Sequence, residues 1–198
     1  DQVAAILDKH PGAEYVVADA ASTGLPTGQT DLVVGEAMLT MQSDRVKAEI
    51  VSEAARLLRP GGRLVLRDDH PVFMAVGDDA SHGLTLHEPY FQQDEPMTWQ
   101  DEGSYVEAPA GAAPIAHTRN HQWNHAVGEI LTALLGAGLV LEEVSETRVS
   151  AWRRWPDLME PCEGYRFAAP ALREMLPLQL VVVARRPGAD PTTLRGDE

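Results

Sequence analysis

The chain has 198 residues, 44% hydrophobic and 23% charged, which suits one folded domain with a substantial core and excludes a disordered chain. Thirty acidic against sixteen basic residues give a net charge of −14, which argues against a nucleic-acid backbone or an anionic membrane surface as partner, because both are bound through clustered Lys and Arg. No apolar run approaches the roughly 20 residues of a membrane span, the first twelve residues lack a signal-peptide pattern, and the single Cys162 excludes an intrachain disulfide or multi-cysteine metal site, so a soluble, cytoplasmic protein is expected.

Val3, Ala4, Ala5, Ile6 and Leu7 read as the end of an amphipathic helix that Pro11-Gly12 stops. Tyr15-Val16-Val17-Ala18 predicts a short strand ending at Asp19, and the small polar residues 20–30, with Gly24, Pro26 and Gly28, predict a loop. Leu32-Val33-Val34 predicts a second strand that closes at Gly35-Glu36. Beyond Ser43, a candidate N-cap, the residues Val46, Ile50, Val51, Ala54, Ala55, Leu57 and Leu58 recur at helical spacing, and Pro60-Gly61-Gly62 stops them. Leu64-Val65-Leu66 predicts a third strand ending at Asp68-Asp69. Strands that are apolar throughout and joined by a crossover helix predict a parallel sheet covered on both faces.

Residues 70–119 change character: they carry Pro, Gly, His and aromatics, and neither Lys nor Arg occurs between Arg67 and Arg119. The segment is too long for a plain connection, and Phe73, Tyr90, Phe91, Trp99 and Tyr105 give it apolar anchors, so a lid or substrate insertion is expected there. Val127, Ile130, Leu131, Leu134 and Leu135 mark one face of a helix over 124–138. A strand over 139–148, an irregular insert over 149–177, an apolar strand over 178–184 and a flexible tail over 187–198 complete the reading.

The order of strand, Asp19-Ala20, loop with Leu25-Pro26, Asp31-Leu32-Val33-Val34, helix, and Leu57-Leu58-Arg59-Pro60-Gly61-Gly62-Arg63-Leu64 resembles the second half of a class I S-adenosylmethionine-dependent methyltransferase. The helix, strand, insert and last strand over 124–184 resemble that family's closing antiparallel pair. The resemblance implies an α/β, Rossmann-like sheet, mostly parallel with an antiparallel closing strand, with S-adenosyl-L-methionine as cofactor. It begins in the helix before the family's third strand. The family's Gly-rich cofactor turn and its first two strands are therefore not expected within 1–198, and the chain reads as a single incomplete domain. Either a longer chain, a closing-up of the strands, or another chain would then fill a gap of roughly 14 Å, and these residues alone would bind the cofactor weakly.

For the cofactor, the resemblance implies Asp19 as acceptor for the adenine amino group, the Ala20 amide against the ring, and the backbone of Gly35 and Glu36 in the same crevice. The alternative for Asp19 is a loop-start side chain bonding its own backbone. His70 follows a strand's carboxyl end beside Asp69, so it is a candidate general base, and His125 a candidate catalytic or substrate-contacting group. His125 has a structural, hydrogen-bonding alternative. Tyr105 and Trp123 are candidate substrate contacts. His117, His121, His125 and Glu129 are spaced by four, a legitimate zinc geometry on a continuous helix, but a helix starting at Asn124 leaves only His125 and Glu129 on one face, so no metal is expected. Ten acids between Asp68 and Glu107 suggest either a solvated face or a mouth favouring cationic or neutral substrates.

The expected function is methyl transfer to a small-molecule acceptor. The alternatives are a non-catalytic methyltransferase-like remnant acting through interactions, and, more weakly, a His-rich metal-binding module. Fourteen Arg against two Lys suit a GC-rich bacterial source. A homo-oligomeric state stays open.

Overall fold

A computed structural model describes residues 12–79, 83–100, 118–164 and 166–188. Strand β1 (Thr30–Glu36) lies parallel to β2 (Leu58–Asp69), and helix α1 (Asp44–Leu57) crosses between them. Ile50, Val51, Ala54 and Ala55 put the apolar stripe of α1 on one side, with Asp44 in its first turn and Arg56 in its last, as the helix dipole favours. Ser43 occupies the N-cap position without a side-chain bond. The helix stops at Leu57, before the Pro-Gly-Gly turn, because Pro60 biases the preceding residue toward extended backbone and the chain is already in β2.

Beyond β2 the sheet continues with β9 (Gln179–Arg185) and then β5 (Val140–Thr147), in the order β1-β2-β9-β5. Three of the four strands point the same way, and β9 runs against both of its neighbours. Helix α3 (Val127–Gly136) precedes β5 and packs beside α1. It starts at Val127 rather than at Asn124, with Ala126 as its N-cap, and the Glu129 carboxylate accepts the Ala126 amide at 2.7 Å.

The main core lies between this helix pair and one sheet face: Ile50, Val51, Ile130 and Leu134 meet Leu64, Leu66, Leu180, Val182 and Ala184. The opposite face departs from the expectation of two covered faces. Leu32 and Val34 of β1 are 53% and 61% exposed there, and among the described residues no helix covers them. The predicted strand over 15–18 also does not form; Tyr15, Val16 and Val17 are exposed coil. A strand is stabilised by its ladder partners, and no described segment pairs with it.

The two stretches read as irregular carry small elements. Within 70–119 stand α2 (Pro71–Ala75) and β3 (Met97–Gln100), which forms a hairpin with β4 (Arg119–Gln122) at the stretch's end. The insert before β9 builds a three-stranded sheet from β6 (Val149–Ser150), β7 (Glu160–Cys162) and β8 (Arg166–Ala168), with β8 central. A second core joins the two stretches: Phe73 packs edge-on against Trp152 and Trp155. The buried Arg154 guanidinium lies 5.4–5.8 Å from all three ring centres and pairs with Asp78 at 2.8 Å. Among the described residues no helix is long and apolar enough to cross a membrane.

Candidate active site

Open α/β sheets place ligands outside the carboxyl ends of their strands, and here those ends carry a network of buried polar side chains. After β1 the chain turns at Ala37, which has φ +48° and donates its amide to Arg67 O at 2.8 Å. A 3-10 turn over Leu39–Met41 follows. Asp68, 1% exposed, holds this turn: its carboxylate accepts Leu39 N at 2.8 Å, Thr40 Oγ1 at 3.3 Å and Asp69 N at 2.9 Å. Burial without a neighbouring cation pushes its carboxyl up to about 6, against the pull of the Leu39 amide.

His125 grips the same turn from the other side. Its Nε2 lies 3.0 Å from Leu39 O and 2.9 Å from Gln42 O, so Nε2 carries the proton and donates to both. Its Nδ1 faces the buried Lys47 ammonium at 3.3 Å and accepts from it, while Lys47 also pairs with Asp44 at 2.7 Å. Burial, reinforced by the Lys47 charge, holds the imidazole below its ordinary range, hence neutral. His70 is similarly occupied. Its Nδ1 accepts Val72 N at 3.2 Å, capping α2, and its Nε2 donates to Glu146 at 2.8 Å; burial again lowers its basicity. With both ring nitrogens engaged, each histidine is arranged to hold loops in place rather than to move a proton to or from a ligand.

The cofactor candidates lie apart from this network. Asp19 and Ala20 are exposed in a turn in which Asp19 Oδ1 accepts Ala21 N at 2.9 Å and Asp19 O accepts Ser22 N at 2.9 Å. Thr23, just beyond, is tied to α1: Glu53 accepts its amide at 2.9 Å and its hydroxyl at 2.5 Å, and Arg56 and Thr23 hold the Glu53 carboxyl down to about 2. Gly35 is buried, and a Cβ there would come within 3.2 Å of both Leu66 Cδ1 and Met38 Cε. Glu36 pairs with Arg67 across the ladder at 2.6 Å. Tyr105 lies outside the described residues.

Trp123 and Asn124 bring the insertion to the sheet. Trp123 N donates to Thr40 O at 2.8 Å. Asn124 Nδ2 donates to Pro71 O and to Pro89 O, both at 2.8 Å, joining the start of α2 to the segment above it. Between 88–97 and 122–124 opens a cavity of about 290 Å³, with Phe91, Met97 and Trp123 as its apolar walls and Glu88, Glu95 and Asn124 among its polar ones. A larger depression of about 520 Å³ lies along α1, where Arg45–Glu49 and Arg56–Glu53 ion pairs occupy its polar groups. Among the described residues no group of three or more His, Cys, Asp or Glu is placed to hold a metal.

Three side chains of this network carry no prediction from sequence. Lys47 stands at the helical spacing of Ile50, Val51 and Ala54, so its burial was legible as a cation on an apolar face. Asp68 was visible only as a strand end, and Asn124 only as a helix cap. Apart from Asp44 and the Asp69 amide, their partners are 28 to 78 positions distant, further than any local pattern reaches.

Residues 2–66 match the methyltransferase-domain family. No curated protein matches the chain. Among solved structures, an S-adenosylmethionine-dependent methyltransferase from Mesorhizobium loti shares 22% identity with a TM-score of 0.58, over 93% of this chain and 75% of that one. One from Methanosarcina mazei shares 15% identity with a TM-score of 0.59, over 94% and 77%. A Burkholderia thailandensis 1,6-didemethyltoxoflavin-N1-methyltransferase, solved with 1,6-didemethyltoxoflavin and S-adenosylhomocysteine, shares 12% identity with a TM-score of 0.51, over 94% and 56%. Residues 2–66 thus carry the methyltransferase-domain match, and the chain as a whole shares the fold of S-adenosylmethionine-dependent methyltransferases.

Proposed function

We propose that this domain methylates a small-molecule acceptor bound at the carboxyl edge of the sheet, beneath the insertion that follows β2. The observation that carries the reading is the cavity between 88–97 and 122–124, whose Trp123 and Asn124 walls are bonded to the loops that follow β1 and β2. Its size suits a small ligand rather than a polymer.

The adenine end of the cofactor fits the residues present. Asp19 offers an exposed carboxylate acceptor beside the exposed Ala20 backbone, the pairing that an exocyclic amine and a ring nitrogen require. Gly35, kept small by Leu66 and Met38, would let the backbone at the end of β1 approach the same ligand. S-adenosylmethionine supplies an electrophilic methyl group on a sulfonium, so the protein's contribution is mainly to bring an acceptor close and align it. Asp68, His70 and His125 serve this by fixing the loops that shape the edge. Residues 70–100 and 118–124 serve it as a lid that excludes water.

The test is incubation of the full chain with methyl-labelled S-adenosylmethionine and, separately, a panel of small amines and phenols, a protein extract and bulk RNA. Label is expected in the small-molecule fraction. In a chain that also carries the family's Gly-rich cofactor segment, Asp19→Ala should weaken binding of S-adenosylmethionine by about 1.5–3 kcal/mol through loss of a charge-assisted hydrogen bond. Label confined to protein or RNA would contradict the acceptor class, and an unchanged dissociation constant would contradict the adenine assignment.

A further inference from the structure

We infer that the cavity between 88–97 and 122–124 selects an organic cation, a protonated amine carried on a flat apolar body; this deepens the proposed function by naming the chemical class of its acceptor. Two carboxylates, Glu88 and Glu95, stand in its wall, and among the described residues neither meets a Lys or Arg. None is near in sequence either, since residues 68–118 contain no basic side chain except histidine. Arg119 opens β4 opposite Gln100, at the other end of the hairpin from Met97 and Gln122, which border the cavity.

A second, independent feature points to a ligand that donates hydrogen bonds. Asn124 is 4% exposed, and its two carbonyl partners oblige its nitrogen to face Pro71 and Pro89. That orientation leaves Oδ1 as a buried acceptor with no partner among the described residues, in a residue that forms part of the cavity wall. A buried, unpaired carbonyl is costly, and a donor seated against the Asn124 wall of the cavity would relieve it by a small turn of that side chain. An ammonium group carries donors and no acceptor, which suits two carboxylates and an orphaned carbonyl. Phe91 and Trp123 supply the faces for its apolar body and a ring quadrupole for its charge. An anion of the same shape would meet two carboxylates and no cation.

The test is a titration of the full chain, without cofactor, followed by NMR shifts of the Trp123 indole and the Asn124 amide. The probes are phenethylamine, its neutral counterpart 2-phenylethanol and its anionic counterpart 3-phenylpropionate. Phenethylamine should shift both signals and bind about tenfold more tightly than the alcohol, with no binding by the carboxylate. The Glu88→Gln/Glu95→Gln double variant, which breaks no ion pair among the described residues, should bring amine and alcohol to parity. Equal affinities in the parent protein, a preference that survives in the variant, or no shift at Trp123 and Asn124 would each overturn the inference. Because nothing here depends on methyl transfer, amine binding without turnover would count against the proposed function alone, and turnover on a neutral acceptor with no amine binding against this inference alone.

Discussion

Asp68 carries an ionisable group into the main core at the point where β2 reaches the candidate site. Its three donors are two backbone amides and a hydroxyl, so hydrogen bonds rather than a cation stabilise the carboxylate. Burial dominates them, and the group is pushed up to about 6 from 3.8. A folded value above the unfolded one means that folding favours the protonated acid. The stability this lends is complete below about pH 3.8 and is lost as pH rises through about 6. His70 and His125, both held below their ordinary values, act in the opposite sense: their contribution is present above about 6.5 and lost as pH falls through their lowered values. Comparison with Asp68→Asn separates the two, because the histidines are common to both proteins. Between pH 4 and pH 7 the stability difference, from urea midpoints, should move in favour of the variant by about 2 kcal/mol. A difference that stays constant across that range would show that Asp68 titrates normally.

At the scale of elements, the Arg59-Pro60-Gly61-Gly62 turn shows why one motif was legible and others were not. Gly61 has φ +82°, a backbone region that side chains other than glycine rarely enter. Gly62 lies against three backbone oxygens: a Cβ would stand 2.9 Å from Thr30 O, 3.0 Å from Arg59 O and 3.1 Å from Asp31 O. Gly61 N and Gly62 O bond Arg186 at 2.9 Å, so the turn joins β2 to the chain leaving β9 as well as to β1. Gly62→Ala should therefore cost about 1–3 kcal/mol, because backbone rather than a flexible side chain must yield. Gly128→Ala, in α3 with nothing within 4 Å of the new Cβ, should be neutral or slightly stabilising. Similar urea midpoints for the two variants would contradict this account of the turn. Such local demands leave a mark on the sequence. β1, α1, β2, α3, β5 and β9 were legible because each has its own periodicity or terminating residues. The strand expected at 15–18 had suitable side chains, yet strand formation depends on a neighbour. The small sheet of β6, β7 and β8 was missed because its strands are two or three residues long and belong to a core that Phe73, from a distant segment, completes with Trp152 and Trp155.

Across the whole molecule, the sheet has one face sealed by α1 and α3 and one that exposes Leu32 and Val34, while the polar network gathers at the carboxyl edge. The spacing of histidines drew attention to His125, but only the fold shows that its two nitrogens are spent on Leu39, Gln42 and Lys47. The site as a whole was visible in position, at the strand ends, and not in detail, since Asp68, Lys47 and Asn124 act through contacts far apart in the chain. In the proposed function the cofactor lies at this edge, with the adenine at Asp19 and Ala20 and the remainder near the end of β1. The most direct measurement is a titration of isotopically labelled protein with S-adenosylhomocysteine, followed by backbone amide NMR. The largest shifts are expected at Ala20, Ala21 and Gly35 through Ala37; binding that shifts other amides and leaves these unmoved would contradict the account.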